Sequence, residues 1–166
     1  ESNDEIIEDD DSDDTDLDYY TRKCDFVFHL AGENRPKDIS AFKNINLGLT
    51  EKLYDFLQTN SNKSFVVLTS SIQAESDNDY GNSKKLAEDF VLANTNNKTY
   101  IYRLPNVFGK WSKPNYNTVI ATFCHNISRG FPITVNDRDS IVNLVYIDDV
   151  IESFISLLKS ADTNKS

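Results

Sequence analysis

Apolar residues in this chain fall into short unbroken runs and into helical spacings, and the two alternate. Residues 24–32 form a run through Phe26, Val27, Phe28, His29 and Leu30 that closes in the small residues Ala31 and Gly32. Such a run suits a central strand covered on both faces. Pro36 and Asp38 mark a loop, after which residues 39–59 carry Ile45, Leu49, Leu53, Phe56 and Leu57 at helical spacing. A second buried strand is predicted over 64–69, running into Ser70 and Ser71, and a polar loop leads to a helix over about 80–94 with Leu86, Phe90 and Val91 on one face. Residues 99–104 give a third strand that Pro105 stops. Residues 116–129 read as a helix ended by Gly130, 142–146 as a short strand, and the last helix reaches about 159 with an aspartate of the Asp148-Asp149 pair to cap it.

Strands alternating with helices predict an α/β fold: a parallel sheet with flanking helices joined by right-handed crossovers. Ligands of such sheets sit beyond the carboxyl ends of the strands. Ala31-Gly32, Ser70-Ser71 and Pro105-Asn106 all lie at such ends, so they are expected to converge on one crevice.

Composition narrows the function. The 166 residues suffice for one domain with a core, and the net charge of −10 is local: eleven of the 27 acids lie in residues 1–18, where there is no Lys or Arg. The remaining 16 acids face 17 bases, leaving about +1. We therefore read residues 1–24 as an acidic N-terminal segment, a solvated loop or chain end, and residues 25–166 as the folded part. No basic face for nucleic acid is visible. Cys24 and Cys124 form neither a disulfide framework nor a CxxC motif, and with His29 and His125 far apart no metal site is expected. No apolar run approaches the roughly 18 residues of a membrane span. A soluble protein of the reducing cytosol is the expectation.

The candidate chemistry lies at the second strand end. Tyr80 and Lys84 are four apart at the start of a helix, so their side chains share one face. A phenol titrates near 10 in isolation, and a neighbouring ammonium favours the phenolate, bringing the group toward the range of general acid-base catalysis. Ser71 would hydrogen-bond a carbonyl oxygen while Tyr80 gives it a proton, so charge developing during hydride transfer would meet two donors. YxxxK alone is weak evidence; its place after a buried strand ending in Ser-Ser and before Arg103-Leu104-Pro105-Asn106-Val107-Phe108-Gly109 strengthens it.

With those pieces in view the chain resembles the extended short-chain dehydrogenase/reductase family that acts on nucleotide-activated sugars. The matching segments, in order, are His29-Leu30-Ala31-Gly32, Asn46-Leu47-Gly48-Leu49-Thr50, Thr69-Ser70-Ser71, Tyr80-Gly81-Asn82-Ser83-Lys84, residues 103–109 and Tyr146-Ile147-Asp148-Asp149-Val150. Asn34-Arg35-Pro36, Ser71-Ile72-Gln73-Ala74 and residues 108–117 look more narrowly like the capsular-polysaccharide reductases that reduce the 4-keto group of a UDP-2-acetamido-2,6-dideoxyhexos-4-ulose. The resemblance implies a Rossmann-like sheet and NADP(H) or NAD(H) as cofactor. It implies a cofactor contact by Leu30, Ala31, Gly32, Asn46, Thr69, Tyr80, Lys84 and Pro105. Substrate would be held by Asn34, Arg35, Ser71, Asn106 and Arg138, with Ser71, Tyr80 and Lys84 catalytic. A nucleotide sugar is the implied partner, and a homodimer through the helices at about 40–59 and 80–94 recurs in the family. Residue types alone leave alternatives: Ala31 and Gly32 also suit a simple turn, Pro105 a strand stop and Asn106 a turn cap. His29, inside an apolar strand, fits a satisfied core residue better than a base. Residues 110–117, with Trp111 and Tyr116 among Lys110 and Lys113, suit either stacking on uracil or a packed surface loop.

The chain also departs from the family pattern. Its five glycines, Gly32, Gly48, Gly81, Gly109 and Gly130, form no GxxGxxG phosphate loop, so the first βα unit is expected to be lacking and the chain to be part of a longer protein. The start then lies near a second strand at Glu5-Ile6-Ile7, and the acidic run after it occupies the place of the basic residue common in NADPH users. Ser71 and Tyr80 are closer in sequence than in many relatives. Val142 stands where many place a diphosphate-binding arginine, with Arg138 the nearest substitute. No role is expected to be assignable within these 166 residues for the cupin domain that follows in the capsular reductases. Two other readings stay open: an epimerase or dehydratase, against which Ile72 and Gln73 replace the dehydratases' acidic pair, and a non-catalytic nucleotide-binding or scaffold module.

Overall fold

The computed structural model describes residues 14–36, 38–94 and 96–163. The suggested strand at Glu5-Ile6-Ile7 and most of the acidic run lie outside them. Strand β1 (Phe26–His29), β2 (Phe65–Ser71) and β3 (Thr99–Leu104) form one parallel sheet in the order β1-β2-β3. Phe26 pairs with Phe65 and His29 with Leu68; on the other side Val66 pairs with Thr99 and Ser71 with Leu104. The registers leave the carboxyl ends of all three strands on one edge, the expected α/β arrangement. Among the described residues β1 has a strand neighbour on one side, β2, and Phe28 is partly open. The strand buried on both faces is β2, whose Val66, Val67 and Leu68 are all in the core.

One face of the sheet is covered by helix α2 (Gly48–Thr59) and helix α3 (Asp79–Asn94). Leu53, Tyr54 and Leu57 of α2 and Val91 of α3 meet Val66 and Leu68, with Val27, Phe90 and Ile101 packed against them. The opposite face meets helix α5 (Ile147–Thr163), whose Phe154 ring lies 5.6 Å from Phe28 and 4.9 Å, edge-on, from Tyr102. Gly130 follows helix α4 (Val119–Ser128) in a left-handed conformation, φ +67°, as a helix-ending glycine should.

Four local expectations change. First, part of the acidic segment is folded: helix α1 (Asp14–Thr21) is anchored by Asn60, whose amide reaches Asp18 and Thr21, and by Asn62, whose amide caps the carbonyls of Thr21 and Cys24. These bonds span about forty residues, and the helix itself has almost no apolar stripe, so no periodicity announced it. Second, the helix predicted over 39–59 opens with a π-helical stretch, Phe42–Leu47. Third, Pro105 interrupts the third strand without ending extended structure: β4 (Asn106–Phe108) follows at once and pairs with β5 (Leu144–Tyr146) in a separate two-stranded parallel sheet. Fourth, Asp148 and Asp149 sit in the first turn of α5, not at its cap, and Asp148 pairs with Lys110 at 2.7 Å. Among the described residues no helix is long and apolar enough to cross a membrane.

Leu57 is fully buried at the centre of the main cluster. Leu57→Ala should lower the unfolding free energy by about 3 kcal/mol, from lost burial plus the cavity left behind. Urea unfolding of the two proteins checks this.

Candidate active site

Ser71 closes β2, and its hydroxyl oxygen accepts from the Gln73 backbone N–H at 3.1 Å, starting a 3-10 turn over Ile72–Glu75. Helix α3 then begins hard against that turn. A Cβ on Gly81 would lie 2.0 Å from the Gln73 carbonyl oxygen and 2.8 Å from that of Ser76, both backbone atoms. Only glycine allows this approach, and it brings Tyr80, the preceding residue, beside Ser71. The Asn78 side chain accepts from the Gly81 N–H at 2.8 Å, satisfying a donor at the helix start. The Phe42 ring, on the π-helical stretch, lies 5.9 Å from the Tyr80 ring.

Burial pushes the Tyr80 phenol above its ordinary range, and hydrogen bonding to the Ser71 side chain offsets part of that. Lys84 is one turn along, buried, and its ammonium lies 6.0 Å from the Tyr80 ring centre. It donates to the Thr69 carbonyl at 3.2 Å, and burial makes it less basic than a free lysine. The expected lowering of the phenol by Lys84 is therefore not the dominant influence. Desolvation disfavours the phenolate, and the ammonium is directed at Thr69.

A second layer holds the β1 end. The Asn46 carboxamide accepts from the Glu33 N–H at 2.8 Å and donates to the Glu33 carbonyl at 3.0 Å, pinning the loop that contains Ala31 and Gly32. The same amide nitrogen donates to Ser83 Oγ at 2.9 Å, and Ser83 donates to the Tyr80 carbonyl at 2.7 Å. The π-helical stretch delivers Asn46, the buried member of its six residues, to this junction. His29 Nε2 lies 2.9 Å from Thr50 Oγ1, whose own proton goes to the Asn46 carbonyl. Burial, with Lys84 nearby, pushes His29 down to about 4, so it is the neutral, satisfied core histidine expected of an apolar strand.

The remaining candidates are spread wider. Leu30, Ala31 and Gly32 are exposed at the strand end, and a Cβ on Gly32 would meet the Lys84 ammonium at 2.7 Å. Thr69 holds the His29 carbonyl through its hydroxyl at 3.2 Å. Pro105 is half-buried, and the Asn106 amide is committed to the Asn143 carbonyl at 3.2 Å. Glu33 Oε1 accepts from the backbone of Asn34 and Arg35, and the Arg35 guanidinium lies 5.7 Å from the Tyr116 ring, which Lys113 approaches from 5.8 Å. Trp111 is 98% exposed. Arg138 sits exposed between α4 and β5, and no ion pair or hydrogen bond ties its side chain to the others among the described residues.

The model of the NAD dependent epimerase/dehydratase family matches residues 2–166. The chain belongs to that family. Over 146 residues it is 47% identical to the UDP-2-acetamido-2,6-beta-L-arabino-hexul-4-ose reductase of Pseudomonas aeruginosa, covering 86% of this chain and 39% of that protein. A crystal structure of the capsular polysaccharide assembling protein CapF from Staphylococcus aureus superposes with a TM-score of 0.76 at 41% identity, over 90% of this chain and 41% of that one. The UDP-glucuronic acid 4-epimerase of Bacillus cereus, solved with NAD, shares the fold at a TM-score of 0.77 and 20% identity, over 89% of this chain and 54% of that one. The chain thus spans about two fifths of the length of the reductase and of CapF.

In this epimerase/dehydratase member the β1 end and Lys84 stand side by side. Together they offer an open strand-end backbone, and beside it a buried ammonium with one protein acceptor and donors to spare. Residues to which the sequence assigned no role of their own are Ser83, which joins Asn46 to Tyr80, and Ser70, Glu88 and Arg103, which form a network around the buried Glu88 carboxylate. Glu88 carried a readable signal: it follows Lys84 by one helical turn, so a carboxylate shares the inward face.

Two outcomes follow from this geometry. Gly81→Ala should cost about 1–3 kcal/mol and separate Tyr80 from Ser71, since backbone must move to admit the methyl group; thermal unfolding reads the first effect and turnover the second. His29 charges at about 6.5 when unfolded but at about 4 when folded, so the unfolded chain binds the extra proton between those values. Stability is full above pH 6.5 and falls by about 3 kcal/mol as pH drops toward 4. The stability gap between wild type and His29→Gln should narrow on going from pH 7 to 4.5 in urea titrations, and a constant gap would show that folding leaves His29 unshifted.

Proposed function

We propose that this chain supplies the proton-transfer site of a reductase acting on the 4-keto group of a UDP-activated 2-acetamido-2,6-dideoxyhexosulose, with NADPH or NADH as reductant. The observation that carries the reading is the backbone contact at Gly81, which sets the first turn of α3, with Tyr80 and one turn behind it Lys84, against the turn that Ser71 starts. It is supported by 47% identity to a reductase named for such a substrate. Bound cofactor supplies a hydride. The chain's residues act on the oxygen: Ser71 and Tyr80 would both donate to it, and the C=O bond would open to an alkoxide as the carbon gains the hydride pair. Tyr80 then gives that oxygen its proton, leaving a phenolate that solvent reprotonates. A phenol is already protonated at neutral pH, and burial raises it further, so the donor form is the one present when substrate binds. The Lys84 ammonium is placed to stabilise the phenolate once formed and to hydrogen-bond the nicotinamide ribose.

Leu30, Ala31 and Gly32 leave room for the cofactor at the β1 end, with Thr69, Asn46 and Pro105 around it. For the substrate, Arg35 and Lys113 flank the half-exposed Tyr116 ring, a setting that suits a base and its diphosphate, with Asn34 beside them and Asn106 nearer the sugar. Arg138 is assigned to the diphosphate on position in the sequence. On the same reading the reaction makes a precursor of surface or capsular polysaccharide in the cytoplasm, and the protein is a homodimer through α2 and α3, where Leu86 and Leu92 are exposed.

The deciding experiment is Tyr80→Phe in the full protein. NAD(P)H oxidation with the 4-keto UDP-sugar should fall by at least about a hundredfold, the scale of a lost general acid, while cofactor binding by fluorescence titration is retained. Unchanged turnover would falsify the role of Tyr80.

A further inference from the structure

Behind the Ser71 and Tyr80 pair lies an ionic network that the proposed chemistry leaves unused, running from the buried Glu88 and Ser70 out to the partly exposed Arg103 and the exposed Glu75. Glu88 is 1% exposed and lies on the inward face of α3, one turn beyond Lys84. Its carboxylate accepts from Ser70 Oγ at 2.5 Å, from Arg103 Nε at 3.0 and 3.1 Å, and from Arg103 Nη2 at 2.6 Å. Arg103 Nη1 reaches on to Glu75 at 2.5 Å. Burial pushes the Glu88 carboxyl up, but the hydrogen bonds from Arg103 and Ser70 outweigh it and hold the group below the usual carboxylate range. Glu88 is therefore ionised at working pH.

What the network joins is more informative than its energy. Ser70 is the neighbour of Ser71 on β2, Glu75 ends the 3-10 turn that Ser71 starts, and Glu88 belongs to the helix whose first turns carry Tyr80 and Lys84. Arg103, on β3, grips both the helix and the turn through one rigid guanidinium. A buried ion pair is poor evidence of stabilisation, since apolar groups of similar size often serve as well. A fork-shaped cation that fixes three elements at once supplies direction, which an apolar contact does not.

We infer that Glu88 and Arg103 are positioning residues for the reductase chemistry: through Ser70 and Glu75 they hold the β2 end and its turn against α3, so that Ser71 and Tyr80 address the same carbonyl oxygen. The inference rests on the reading that Tyr80 is the proton donor. A shift of about 1 Å between reacting groups costs on the order of a hundredfold in rate, so a small loosening is visible in turnover.

Ser70→Ala removes one hydrogen bond with little change of volume, and Glu88→Gln keeps the shape of the side chain while removing its charge. With UDP-2-acetamido-2,6-dideoxyhexos-4-ulose and NADPH or NADH, each should lower kcat by about tenfold with KM little changed. The alkaline limb of the kcat profile, where Tyr80 loses its proton, should move to higher pH as the Ser71 bond that holds the phenol down is weakened. A loss of packing alone lowers kcat without moving that limb, and that result, like unchanged kcat in both variants, overturns the inference. Should Glu88→Gln fail to fold, Ser70→Ala decides the matter. Tyr80→Phe, measured alongside, separates the two levels: retained turnover there sinks the reductase reading and the inference with it, whereas lost turnover beside normal Ser70→Ala and Glu88→Gln enzymes sinks the inference only.

Discussion

Helix α3 starts where it does because residue 81 has no side chain. The Gln73 and Ser76 carbonyls occupy the space that a Cβ would need, so the turn after β2 and the first turn of α3 lie in direct backbone contact. That contact converts a sequence separation of nine residues into the adjacency of Ser71 and Tyr80. The rest of the site is arranged around it. Asn46 and Ser83 tie the β1 end to the same helical turn, while Glu88, one turn beyond Lys84, ties in β2 through Ser70 and β3 through Arg103. Each tie is a hydrogen bond to a fixed atom, so the three strand ends and the helix are oriented as well as merely packed.

The polar groups drawn into this junction are arranged so that little charge is left unpaired. His29 is neutral, since burial would strip its charged form of water and Lys84 lies nearby as a second cation. Glu88 is ionised, because Arg103 and Ser70 supply donors that water would otherwise provide. Lys84 is the exception. It is buried, paired only with the Thr69 carbonyl among the described residues, and less basic as a result. A buried ammonium with a single neutral acceptor is costly unless something else completes its shell. A bound ribose hydroxyl and a transient phenolate are the two acceptors that the proposed reaction would bring.

Much of this was legible in the residues. Three apolar runs of strand length separated by helical spacings gave the parallel sheet, and parallel strands put their carboxyl ends together without further information. The matched motifs located Ser71, Tyr80 and Lys84 at one of those ends. What escaped was whatever depends on contacts distant in sequence. Helix α1 has a weak apolar face and is held by Asn60 and Asn62, so periodicity had nothing to detect. The π-helical stretch follows from where Asn46 must reach. The split at Pro105 depends on β5 nearly forty residues later.

The direction of the Tyr80 shift bears on the division of labour in the site. A phenol that must act as a base gains from a strong nearby cation, but a phenol that must act as an acid needs first to be protonated. An ordinary phenol meets that condition at neutral pH; burial holds the proton more tightly still, and the Ser71 side chain offsets part of that. Lys84, set toward Thr69 and 6.0 Å from the ring centre, adds little while the phenol is neutral. Its Coulomb attraction grows when the proton leaves and the ring carries charge, so on the reductase reading its influence falls mainly on the transition state and the product of transfer. An interaction that strengthens along the reaction raises kcat, whereas one already present in the ground state would only tighten binding.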